Sequence, residues 1–149
     1  MDRKKLNLGC GIRKLDGYYN IDISSEVKPD LVWDLNEGLP SIISDNSVDH
    51  IEVTHTLEHI KEIIYLMNEC YRVLKHGGTM HIVVPQGEGI WADPTHVRAF
   101  SKLSWRYWDK DYDKAGNLSY GIRTDFKTIK NEFIYNEDGG VLDITLKKL

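Results

Sequence analysis

Two glycines and an acid near the start of the chain have the types and spacing that a ligand crevice needs. Leu6 to Gly11 read Leu-Asn-Leu-Gly-Cys-Gly, and shortly after them a second apolar run ends on an acid, Tyr19-Asn20-Ile21-Asp22. Gly9 and Gly11 let the backbone turn sharply and approach a ligand closely, while a carboxylate at the tip of the neighbouring strand accepts both hydroxyls of a ribose. The pairing suggests a nucleoside-binding sheet, the alternative being a turn without a ligand. Asp93, His96 and Arg98 form a second set, grouped on an irregular segment held by Pro94. There His96 could act as a general base near neutrality and Arg98 could hold a carboxylate or phosphate, unless the three simply lock their loop by mutual hydrogen bonds. His55 to His59 match the His-x-x-Glu-His pattern of zinc proteases. Because His55 ends a strand and His59 lies in the helix after it, no metal site is expected. His55 is read instead as a ligand contact or a helix cap, and Glu58 and His59 as helix-start and packing residues.

These residues need elements to position them. Lys5 to Leu8, Tyr19 to Ile23, Leu31 to Trp33, Val48 to Val53 and Met80 to Val84 read as short buried strands of a parallel sheet. After the fourth, Leu57, Ile60, Ile64, Met67, Tyr71 and Leu74 recur at helical spacing, with Gly77 and Gly78 as the stop. The stretch between Gly11 and the second strand is too short for a crossover helix, so the first helix is expected to shrink to a turn. A dinucleotide needs that helix for its pyrophosphate, so the ligand should contain a nucleoside without phosphates, as S-adenosylmethionine does. Phe126 to Tyr135 and Val141 to Leu146 flank Asn136-Glu-Asp-Gly-Gly140 and read as a hairpin, an antiparallel edge on the parallel sheet.

Composition excludes several classes. The chain has 149 residues, with 19 Lys and Arg against 23 Asp and Glu for a net charge of -4, and its basic residues are scattered. One domain over residues 1–149 is expected, and binding to nucleic acid by charge alone is disfavoured. Cys10 and Cys70 suggest no disulfide framework, which fits a reducing cytoplasmic compartment. No apolar run reaches the ~18 residues of a membrane span, and the charged start Met1 to Lys5 runs directly into a strand, so neither membrane segment nor signal peptide is expected.

Taken in order, Leu6-Asn-Leu-Gly-Cys-Gly, Asn20-Ile-Asp22, Asp45-Asn-Ser-Val-Asp49, Leu57-Glu-His59 and Arg72-Val-Leu-Lys-His-Gly-Gly78 resemble the small class I S-adenosylmethionine-dependent methyltransferases. The resemblance spans Lys5 to Phe100. It is most similar to a compact bacterial and phage-type branch with a segment like Asp93-Pro-Thr-His-Val-Arg-Ala-Phe100. It implies an α/β, Rossmann-like methyltransferase domain that uses S-adenosylmethionine and leaves S-adenosylhomocysteine. Gly9 and Gly11 would face the methionine part, Asp22 would hold the ribose hydroxyls, and Asp34 with Leu35 would lie beside the adenine, though Asp34 could equally cap a turn; Asn7, Cys10 and Ile23 would join them in binding the cofactor. His55 would stand where the methyl emerges. Asn7 occupies a position where the family usually has an acid, and its amide cannot neutralise the cofactor's ammonium group. The implied acceptor is a small molecule or glycan, bound near Asp93, His96 and Arg98. Trp91, Phe100, Trp105, Tyr107 and Trp108 crowd that region as sugar platforms or core, and the charged run Asp109 to Lys114 reads as an exposed loop. Rival readings are a cofactor-binding module without its own catalysis, or an RNA or protein methyltransferase. Oligomeric state stays open.

Overall fold

The computed structural model describes residues 4–137 and 139–149. The expectations for Met1 to Arg3 and for Asp138 in the hairpin turn lie outside the described residues. In chain order the strands are β1 (Lys5–Leu8), β2 (Tyr19–Asp22), β3 (Leu31–Val32), β4 (Val48–Thr54), β5 (Leu74–Pro85), β6 (Phe126–Ile134) and β7 (Val141–Lys148). The α-helices are α1 (Ile63–Val73), α2 (Gly89–Ala92) and α3 (Lys114–Ser119). One seven-stranded sheet results, in the order β3-β2-β1-β4-β5-β7-β6. Strands β1 to β5 pair in parallel, and β7 runs antiparallel to both β5 and β6. This is the Rossmann-like sheet with an antiparallel C-terminal hairpin that the sequence implies. The strand order reverses beside β1, between β2 and β4, and ligands of such sheets collect outside the carboxyl ends at that point.

The connection from β1 to β2 contains only turns, as its length requires. Among the described residues, the next two connections contain no α-helix either, only 3-10 turns at Ser25–Val27 and Leu35–Glu37. This shapes the sheet. Leu6, Leu8, Ile51, Val53, Met80, Ile82, Val84, Ile144 and Leu146 are buried in one cluster with Leu66, Met67, Cys70 and Val73 of α1 and with Trp105 and Phe126. The alternating positions of β4, β5 and β7 instead present Glu52, His81 and Asp143. The expected doubly buried strands are therefore corrected: with too few crossover helices to cover both faces, one face must be polar.

That polar face is held by a charge chain. His81 Nδ1 donates to Glu52 Oε1 at 2.9 Å and His81 Nε2 donates to Asp143 Oδ1 at 3.0 Å, while Lys130 Nζ donates to Asp143 Oδ2 at 2.9 Å. Burial opposes ionisation of Glu52, but hydrogen bonds from His50, His81 and Thr54 overcome it and bring its pKa from 4.5 to about 2. The bond to Glu52 lifts His81 above its ordinary 6.5, against the opposing effect of burial. Stability from Glu52 is thus present above pH 4.5 and is lost as pH falls toward about 2. Stability from His81 is present below pH 6.5 and is lost as pH rises through its raised value. Melting temperature should therefore peak at about pH 5 to 6.5 and fall on both sides, and Glu52→Gln should flatten both flanks. An unchanged profile in the variant would contradict this assignment.

The helical stripe also needs correction. Leu57 to His59 form a separate 3-10 turn, Ile60 is extended at ψ 120, and α1 begins only at Ile63. Asn36 Oδ1 accepts from the backbone of Lys61 and Glu62, which fixes the chain between the two pieces. At the other end Leu74 is already extended at ψ 139, so β5 starts there and not after the glycines. Gly77, at φ 82, lies instead in an irregularity between the Val48–Leu74 and His50–Thr79 pairs. Of the aromatic residues, Phe100, Trp105 and Trp108 are core and Trp91 is 71% exposed. Just after the charged run, Asn117 is buried in α3, where its amide donates to the Tyr107 and Tyr112 carbonyls.

Candidate functional site

The turn after β1 is shaped by what lies beneath it. Gly9 has φ 64, and a Cβ built there would lie 2.2 Å from Thr56 Oγ1, so only glycine fits. Thr56 is itself tied down, its hydroxyl lying 3.2 Å from the Leu8 carbonyl. Gly11 has φ 48 and nothing within 4 Å of such a Cβ, so its backbone lies bare toward open space. Asp22, at the tip of β2, accepts from Gly11 N at 2.8 Å and Ser24 N at 2.9 Å. A carboxylate has about four acceptor sites, which leaves room for two hydroxyls.

Gly9, Gly11, Asp22, Ile23, Asp34, Leu35 and His55 line one cavity of about 330 Å³. Its remaining wall is Trp33, Asn36, Thr56, His59 and Ile60. Asp34 serves both readings made of it: its carboxylate caps the Leu35–Glu37 turn by accepting from Asn36 N at 2.9 Å, and it borders this cavity. The combination of a bare glycine turn, a carboxylate with free acceptor sites and apolar walls from Ile23, Leu35 and Ile60 fits an adenosyl group. Thr56 and Ile60 carry no local sequence signal, since they enter the wall only because the chain bends between β4 and α1.

Asn7 and Cys10 do not line this cavity but an adjoining hollow that shares Gly9, Gly11 and His55 with it. Asn7 Nδ2 donates to the Arg13 carbonyl and to Asn20 Oδ1, both at 2.9 Å, so it orders the loop after β1. With Cys10 it borders a second hollow of about 520 Å³, shared with Glu52, Thr54, His55 and His81 on the polar face of the sheet.

A third cavity, of about 1090 Å³, opens beyond β4 and β5. His55, Glu58, His59, Gln86, Glu88, Asp93, His96 and Glu137 border it. His55 is shared by all three hollows and His59 by two. His55 sits at φ 50, a left-handed conformation that His tolerates better than most side chains and that clusters at functional sites. Its N–H donates to the Val83 carbonyl at 2.9 Å, its ring is 48% exposed, and its Nδ1 lies 3.6 Å from Glu58 Oε1.

The Asp93 to Arg98 segment divides. Asp93 accepts from the Thr95 backbone at 2.8 Å and hydroxyl at 2.6 Å, and these bonds hold its carboxyl below its ordinary range. His96 Nδ1 donates to the Ile90 carbonyl at 2.6 Å, with the side chain 7% exposed. Arg98 does not join them: it donates to the Ile60 and Lys61 carbonyls at 3.0 and 2.8 Å and borders a different hollow with Phe100 and Trp108. Its guanidinium thus clamps the bend before α1 and does not face the large cavity. No Lys or Arg is among the described residues bordering that cavity.

A family model described as a methyltransferase domain matches residues 6–82. A search of curated proteins finds no match. An S-adenosylmethionine-dependent methyltransferase from Archaeoglobus fulgidus aligns over 98% of this chain and 86% of its own at 19% identity, TM-score 0.68. The 1,6-didemethyltoxoflavin-N1-methyltransferase of Burkholderia thailandensis, solved with S-adenosylhomocysteine, aligns over 97% and 70% at 14% identity, TM-score 0.65. A 16S rRNA (adenine(1408)-N(1))-methyltransferase from Catenulisporales acidiphilia aligns over 99% and 85% at 12% identity, TM-score 0.61. At these identities the likeness is one of fold. Among the described residues, no helix is long and apolar enough to cross a membrane.

Proposed function

The chain belongs to the methyltransferase-domain family, whose methyl donor is S-adenosylmethionine, and from that premise we propose that its acceptor is a neutral, hydroxylated small molecule or glycan bound in the 1090 Å³ cavity. The observation that supports this most directly is the position of His55 and His59 in the walls of both this cavity and the 330 Å³ one. A methyl leaving the smaller cavity past these rings enters the larger. The cofactor supplies an electrophilic methyl on a sulfonium, so the chain has to hold the acceptor in line and remove its proton.

Asp22 holds the ribose hydroxyls, Gly9 and Gly11 admit the methionine portion, and Asp34 with Leu35 borders the adenine. His55, half exposed at the junction, takes the acceptor's proton, and His96, nearly buried, shapes the far wall. The carboxylates of Glu58, Glu88, Asp93 and Glu137, with Arg98 turned away, favour a neutral acceptor over a phosphate-bearing one such as RNA. Exposed Trp91, on α2 beside the cavity, suits the face of a sugar ring.

Transfer of a labelled methyl to a panel of neutral glycans and hydroxylated small molecules, with RNA alongside, tests this. His55→Asn keeps the left-handed backbone and should lower kcat on any acceptor found by about 100-fold, far more than it changes cofactor affinity. Labelling of RNA alone would overturn the acceptor assignment, and full turnover by His55→Asn would overturn the role of His55.

A further inference from the structure

We infer that Glu58, His59 and His96 form a binding site for one divalent transition-metal cation in the wall of the large cavity. A carboxylate oxygen of Glu58 and one ring nitrogen from each histidine all lie within 4.8 Å of one another. The His59 and His96 rings pack edge to face with centroids 4.7 Å apart.

The hydrogen bonds around the cluster fix which ring nitrogen of each histidine is left for ligation. His96 Nδ1 faces the Ile90 carbonyl at 2.6 Å, and a carbonyl only accepts, so Nδ1 carries a proton and Nε2 is the nitrogen left for a cation. Thr95 gives its hydroxyl proton to Asp93, so Thr95 Oγ1 accepts from His59 Nδ1 at 3.0 Å, and His59 Nε2 is likewise the nitrogen left for a cation. Two imidazoles, each oriented by a bond from its far nitrogen, are the arrangement found around ligated metals. The third donor is independent of both. Glu58 is 2% exposed, and among the described residues its Oε2 has no hydrogen-bond partner. A buried carboxylate oxygen without a donor costs free energy unless a cation takes that place.

Sequence spacing points away from this site, because it pairs His55 with His59. The third ligand comes instead from the segment after β5, which the bond from Val97 N to the Glu58 carbonyl at 2.9 Å ties to the Leu57–His59 turn. Two histidines and one carboxylate suit Mn²⁺, Fe²⁺, Co²⁺ or Zn²⁺ and leave coordination positions open. All three ligands border the cavity where the acceptor would bind, and a cation held there would lower the pKa of a hydroxyl bound to it. This role rests on the acceptor assignment made above, whereas binding of the cation does not.

The test is titration of the metal-depleted full chain with Co²⁺ alone, followed by visible absorption, with a parallel calorimetric titration of Zn²⁺. Saturation at one equivalent with d–d bands is expected. Glu58→Gln and His59→Gln should weaken binding by at least 100-fold, and His76→Ala, on a remote histidine, should leave it unchanged. Zn²⁺ should also raise the melting temperature of the wild type and not of Glu58→Gln, a comparison that holds even if one variant folds poorly. Absence of saturable binding, or equal binding by wild type and both glutamine variants, would overturn the site. Cation binding without methyl transfer to any neutral acceptor would uphold the site and count against the acceptor assignment alone.

Discussion

Gly9→Ala should abolish S-adenosylmethionine binding and lower stability by about 2 kcal/mol or more, while Gly11→Ala should cost only about 1 kcal/mol of stability. Both residues have positive φ, 64 and 48, so both substitutions incur the left-handed penalty of a Cβ. They differ in what the methyl meets. At position 9 it would lie 2.2 Å from Thr56 Oγ1 and 2.4 Å from Thr56 Cγ2, whereas at position 11 nothing lies within 4 Å. Thr56 is buried and hydrogen-bonded to backbone, so relief of the clash would push the β1 turn into the cavity it borders. Calorimetric titration and chemical denaturation of the two variants check this. Equal cofactor affinity in Gly9→Ala and wild type would contradict the claim that contact with Thr56 shapes the cofactor cavity.

Asp22→Ala should weaken cofactor binding by at least about 100-fold. The carboxylate has two tasks. It anchors Gly11 N and Ser24 N, which fixes the loop after β1 relative to the end of β2, and it keeps acceptor sites for two ribose hydroxyls. Hydrogen bonds to a charged group contribute about 1.5–3 kcal/mol each, so losing the pair alone exceeds a factor of 100. Asp22→Asn, which can still accept one bond from a backbone N–H, should fall between the two. Comparable affinity in all three proteins would mean that the ribose lies elsewhere.

Much of this was legible in the sequence because local chemistry decided it. The glycine turn, the acid ending β2, the missing first helix and the C-terminal hairpin each follow from a few adjacent residues. The one-sided sheet left a trace in the alternation Ile51-Glu52-Val53-Thr54 and Met80-His81-Ile82 but could not be read from it, because a run such as Val83-Val84 reads equally as doubly buried. The break between Leu57–His59 and α1 was not legible, because Ile60 keeps helical spacing while its backbone is extended. Arg98 and His96 lie two residues apart and face different hollows, which only the fold decides. The Glu58, His59 and His96 cluster likewise joins residues from two segments that no spacing rule connects.

The most direct measurement is isothermal titration of the purified chain with S-adenosylmethionine and S-adenosylhomocysteine. One site per chain with micromolar affinity, about 8 kcal/mol, is expected for both ligands, lost together in Asp22→Ala. Absence of binding by the wild-type chain would contradict the assignment of the 330 Å³ cavity to the cofactor.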